Sequence, residues 1–87
     1  MRVKVLLYSF LREKLGWKEK ILELKGEKAT INDVLRNLPD LKEVIMHNGI
    51  DNFMILVNGI NIRLLKMLNT ELSDGSEIAI FPPGGGG

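Results

Sequence analysis

The chain has 87 residues, 45% of them hydrophobic and 26% charged, with a formal net charge of +1, enough for one compact domain burying roughly 60–65% of its unfolded surface. Acidic and basic positions are intermixed, which excludes a nucleic-acid-binding stripe and a disordered acidic block. There is no cysteine, which excludes disulfides, a thiolate nucleophile and a thiolate metal site.

The opening "MRVKVLLYSF" is too short and too charged for a signal peptide, and no apolar run reaches membrane-spanning length, so the expected location is the cytoplasm. Within it, Val3, Val5 and Leu7 share one side of an extended chain and Lys4, Leu6 and Tyr8 the other, which predicts a first strand. "FLREKLG" predicts one or two helical turns that stop at Gly16. In "WKEKILELKG", Leu22 and Leu24 share a face opposite Ile21, predicting a second strand antiparallel to the first.

The clearest helix begins at Thr30, whose hydroxyl can cap the first turn, with Asp33 placed to favour the positive end of the dipole. Ile31, Val34, Leu35 and Leu38 form one buried stripe, and Pro39 is expected to end it. Leu41, Val44 and Ile45 predict a second, shorter helical segment before the loop "HNGIDN". "FMILV" reads as a central strand covered on both faces, Asn58-Gly59 as a hairpin turn and "INI" as the return strand. "RLLKMLNTEL" reads as irregular, Ser73-Asp74-Gly75 as a turn, and "EIAIF" as the last strand with Ile78 and Ile80 towards the core. Strand, strand, helix, strand, short strand, strand is the α+β arrangement of the ubiquitin-like β-grasp: a mixed sheet with one main helix packed on it. Residues 1–83 are expected to form the domain and 84–87 a flexible glycine tail.

Pro82 and Pro83 lack the amide hydrogen a sheet needs, so they end the last strand and direct the chain outward. Phe81, before a proline, is held extended. Gly84, Gly85, Gly86 and Gly87 can then reach roughly 13–14 Å with no side chain to obstruct a channel. The carboxylate of Gly87 is a poor electrophile until activated, for instance as an acyl-adenylate. The chain has no phosphate-binding glycine loop for that step, so it reads as the substrate of another protein. Taken alone, a glycine run is equally well explained as a plain flexible end.

Four stretches in order, "VKVLLYSFLREKLG", "LVNG", "LSDGSEIAIFPP" and the diglycine Gly86-Gly87, resemble the MoaD branch of the MoaD/ThiS sulfur-carrier family. The resemblance implies that a partner of the ubiquitin-activating adenylyltransferase type adenylates Gly87 with ATP. The chain itself binds no cofactor and has no catalytic site. The adenylate becomes a thiocarboxylate, and the carrier docks into the large subunit of molybdopterin synthase, expected as a heterotetramer, to donate sulfur to a pterin precursor. By the same resemblance Gly84, Gly85 and Gly86 thread the partner's channel, and Phe81, Pro82 and Pro83 form the docking base. Gly84 and Gly85 stand where the family commonly has small or apolar residues, which adds about 1–2 kcal/mol of ordering cost per residue. Asn69 and Glu71 stand where it often has aspartate and proline.

Thiazole or transfer-RNA thiolation, and ubiquitin-like protein modification, use the same tail chemistry; a β-grasp interaction module would use none of it. His47 has no second histidine and reads as a surface residue rather than a metal ligand. Trp17 reads as a half-buried aromatic at a strand start, and Met46, Met54 and Met67 as core fillers. Phe81 shares its side of the last strand with Ala79, away from Ile78 and Ile80, which predicts an apolar docking surface on the outer sheet face.

Overall fold

Alternation of side chains along an extended backbone accounts for the first strand. In the computed structural model, which describes residues 1–83, β1 (Arg2–Leu7) buries Val3, Val5 and Leu7 completely while Lys4 and Leu6 face the other way. The helical turns α1 (Phe10–Leu15) end at Gly16, which has φ 82° and donates its N–H to the Arg12 carbonyl at 2.9 Å; glycine takes this left-handed turn without a Cβ clash. β2 (Glu19–Glu23) returns antiparallel to β1, with Leu22 opposite Val3. Leu24 is buried, Leu22 half-buried and Ile21 exposed, so the two leucines share the inner face. Trp17, half-buried, packs against the core just before this strand.

After the two-residue β3 (Ala29–Thr30) comes α2 (Ile31–Arg36). The Asp33 carboxylate accepts the Thr30 amide at 2.8 Å and its hydroxyl at 3.2 Å, closing the first turn as a capping box does. Ile31, Val34 and Leu35 are buried. The helix leaves its track at Asn37, and Pro39 proves to be a start rather than a stop: it is the first residue of α3 (Pro39–Asn48). Proline suits that position because a first-turn amide has no intrahelical partner to lose. The segment beyond the proline is thus the longer of the two, ten residues against six, and it buries Leu41, Val44 and Ile45.

β4 (Met54–Val57) and β5 (Ile60–Asn61) form the expected hairpin. Asn58 and Gly59 both have positive φ, 50° and 84°, the combination a two-residue hairpin turn requires. β4 is not covered on both faces, however. Ile55 and Val57 point into the core, Leu56 is half-buried and Met54 is exposed. "RLLKMLNTEL" resolves into two 3₁₀ turns, Ile62–Leu64 and Met67–Asn69, followed by β6 (Glu71–Leu72), which pairs antiparallel with β3.

The main sheet has the order β2-β1-β7-β4-β5, so the central position falls not to β4 but to β7 (Glu77–Phe81). β7 runs parallel to β1, Val5 beside Ile78 and Leu7 beside Ile80, and antiparallel to β4, Ile55 beside Ile80. The inner faces of β1, β7 and β4 and the buried sides of α2 and α3 make one hydrophobic cluster. This is the ubiquitin-like β-grasp.

The Thr30 amide, followed by the Arg36 guanidinium, holds the Asp33 carboxyl below its ordinary pKa of 3.8. A depressed folded-state pKa gives stability that is complete above the unfolded value and is lost as pH falls through the folded one. Asp33→Ala should therefore melt below the wild type near neutral pH, and the gap should close as pH drops below 3.8. Thermal melts across that range check this; a gap unchanged in acid would contradict it.

Candidate functional site

The site is built around the end of β7, because the centre of the sheet fixes it from both sides. The Tyr8 amide donates to the Ile80 carbonyl at 3.1 Å, continuing the parallel ladder one residue past β1, and Met54 lies opposite Phe81 in the β4 ladder. Ile78 and Ile80 face the core at 0% and 1% exposure, leaving Ala79 and Phe81 on the other side, both half-buried. Phe81 is therefore outside the core, as its position in the alternation predicts.

On this outer face the register gathers apolar side chains across three strands. Leu6 and Leu56 flank Ala79 from either side. Tyr8 stacks on Phe81 with ring centroids 4.2 Å apart and planes 10° from parallel, and Met54 completes the row. The Arg12 guanidinium sits over the other ring of this pair, its Cζ 4.9 Å from the Tyr8 centroid. Of this row only Met54 is largely exposed, the others being half-buried on the face turned away from the core. Pro82 and Pro83 come next, both half-buried. Gly84, Gly85, Gly86 and Gly87 lie outside the described residues.

The structure thus brings Phe81 together with Tyr8, Met54 and Arg12, none of which the sequence pattern assigns to the site. Tyr8 is detectable in principle: it belongs to the outer set of β1 with Leu6, and a tyrosine and a leucine turned away from the core are themselves a signal. Met54 and Met46 are corrections, since both are exposed, at 42% and 44%, rather than core fillers, while Met67 does pack against the core. The exposed ends of an apolar strand and of an amphipathic helix cannot be told from their buried positions by residue type alone. His47 is exposed in the last turn of α3. Among the described residues, no group of three or more His, Cys, Asp or Glu side chains could hold a metal ion, and no helix is long and apolar enough to cross a membrane.

A five-stranded mixed sheet with its last strand at the centre and helices packed on one face is the ubiquitin-like β-grasp. More narrowly, the chain belongs to the ThiS family, whose model matches residues 5–87; the family consists of small sulfur carriers without a catalytic site of their own. A molybdopterin synthase sulfur carrier subunit from Chlamydomonas reinhardtii is 34% identical over 89 residues, covering 100% of both chains. The solution structure of small archaeal modifier protein 1 from Methanosarcina acetivorans is 42% identical with a TM-score of 0.77, covering 99% of this chain and 96% of that one. The crystal structure of the Haloferax volcanii protein of the same name is 26% identical, with a TM-score of 0.76 and complete coverage of both chains.

The two neighbouring isoleucine and phenylalanine positions should respond differently to truncation. Ile80→Ala opens a void in the core and should cost about 2–5 kcal/mol. Phe81→Ala removes a partly exposed stacked ring and should cost no more than about 1–2 kcal/mol. Urea denaturation of the two variants compares them directly, and equal losses would place Phe81 in the core.

Proposed function

We propose that this chain carries sulfur for molybdopterin synthesis as a thiocarboxylate on Gly87. The observation that carries the reading is the full-length match to a molybdopterin synthase sulfur carrier subunit. The position of the last strand supports it: β7 ends in the middle of the sheet beside an apolar face. A carrier needs both parts, a face for docking and an end that can be handed to an active site.

The chemistry requires a partner. In an adenylyltransferase of the ubiquitin-activating type, a Gly87 carboxylate oxygen attacks the α-phosphorus of ATP and pyrophosphate leaves. The resulting acyl-adenylate has a good leaving group, and hydrosulfide from the sulfur donor attacks the carbonyl and displaces AMP to give the thiocarboxylate. The charged carrier then seats Phe81, Pro82 and Pro83 on the large synthase subunit while Gly84, Gly85 and Gly86 pass into its channel. The thiocarboxylate sulfur bonds to the pterin precursor, and water then adds to the resulting thioester carbonyl, so that the sulfur leaves with the pterin and Gly87 returns to a carboxylate, ready for another round. Because sulfur rides on a carboxyl carbon, the absence of cysteine from the chain is no obstacle.

The likeness to small archaeal modifier protein 1 favours a second reading with the same activation and a different acceptor. A lysine amine attacks the adenylated carbonyl, AMP leaves, and an isopeptide bond forms.

Intact mass spectrometry after incubation with ATP, a sulfur donor and the adenylyltransferase separates the outcomes. Sulfur carriage gives a mass gain equal to the exchange of one oxygen for one sulfur, located at Gly87 and absent when Gly86 and Gly87 are deleted. Modification instead gives lysine-linked conjugates that end at Gly87. An unchanged mass with no conjugates would overturn both.

A further inference from the structure

Three features converge on the root of the tail that the core does not need. The first is strain. Ser9, between β1 and α1, has φ 56° and ψ −140°, a region that non-glycine residues avoid and that persists only when the surroundings enforce it. The second is a tether: Arg12 donates from Nε to the Leu7 carbonyl at 2.6 Å, and its amide donates to the Ser9 carbonyl at 3.1 Å, bridging this strained corner. The third is the stack itself, with guanidinium, Tyr8 ring and Phe81 ring laid one against the next.

We propose that Arg12 is a positioning residue for the tail: through Tyr8 it holds Phe81 flat on the outer face and so sets the line along which the chain leaves β7. The inference rests on the carrier reading above, since the exit line matters only if the carboxyl end is handed to another protein. The tether to Leu7 fixes the plane of the guanidinium, and a planar cation fixed in this way attracts the face of an aromatic ring. Tyr8 in turn aligns Phe81. Phe81 precedes Pro82, whose ring restricts it to extended backbone, and both prolines have fixed φ. Orientation imposed at Phe81 is therefore passed along a stiff run to residue 83 instead of being lost at the first bond. A root aligned before docking lowers the ordering cost of association. Lysine at position 12 could place a charge over the ring, but it lacks the planar fork that reaches the Leu7 carbonyl in a fixed orientation.

Two measurements on the full chain test this. In Arg12→Met, the Phe81 ring-proton resonances should move towards free-phenylalanine values as the ring leaves the shielding zone of Tyr8. In ATP–pyrophosphate exchange with the adenylyltransferase of the same genome, KM for this chain should rise about 3–10-fold with kcat at saturation unchanged, the pattern of lost uniform binding. Arg12→Lys should fall between the two. A merely structural role would lower the melting temperature and leave both readouts unmoved. Should Arg12→Met fail to fold, Arg12→Gln, which keeps an N–H for Leu7 and loses the charge, is read in the same assays. Unmoved resonances or an unmoved KM, with the wild type adenylated, overturn the positioning role alone. A wild type that is never adenylated overturns the carrier reading and the positioning role together.

Discussion

Two parallel strands cannot be joined by a tight turn, because the chain must cross back over the sheet before the second can run alongside the first. Here the first and last strands make such a pair, with Val5 beside Ile78 and Leu7 beside Ile80, and the rest of the chain serves as the crossover. The inner side chains of that pair are fully buried, each contributing about 1.5–3 kcal/mol of burial. β4 then closes the other side of β7. The last strand is consequently held along both edges, and the chain beyond it emerges from the middle of the sheet. A terminus pulled from that position loads two ladders at once, whereas one pulled from an edge strand would peel a single ladder.

The same pleat that commits Ile78 and Ile80 to the core commits Ala79 and Phe81 to the opposite face, since the period of a strand leaves no third direction. Leu6, Met54 and Leu56 are brought to that face by register, and Tyr8 by the continuation of the ladder one residue past β1. The apolar outer face and the anchored end of β7 are thus two consequences of one alternating run. A change that shifted the register by one residue would exchange the two faces and destroy both.

The elements most legible in the sequence are those in which one local rule decides the outcome. Val3, Val5 and Leu7, the left-handed stop at Gly16 and the Asn58-Gly59 turn need no knowledge of the rest of the chain. Pro39 misleads because proline both ends one helix and suits the first turn of the next, and only the packing of Leu41, Val44 and Ile45 decides which role prevails. "FMILV" misleads for a related reason. A short apolar run states that a strand is near the core but not how many of its faces are covered. The β3–β6 pair, two residues on each side, is too short to leave any pattern. Of the site, Phe81 and the two prolines are visible because proline marks its own place. Tyr8 shows only as an outward-facing aromatic beside Leu6, since its stacking on Phe81 depends on a parallel pairing that spans nearly the whole chain, and nothing local marks Arg12 as the cation over its ring.

Native-state hydrogen exchange on the amides of β7 addresses the anchoring of the last strand most directly, because it reads how much of the molecule must open before that strand is released. If the two ladders hold it as described, the protected amides of Ile78 and Ile80 exchange only through global unfolding, with the same free energy as the buried amides of β1. If those of β7 exchange through a smaller local opening while β1 stays protected, the strand is an independent flap and the tail has no fixed root.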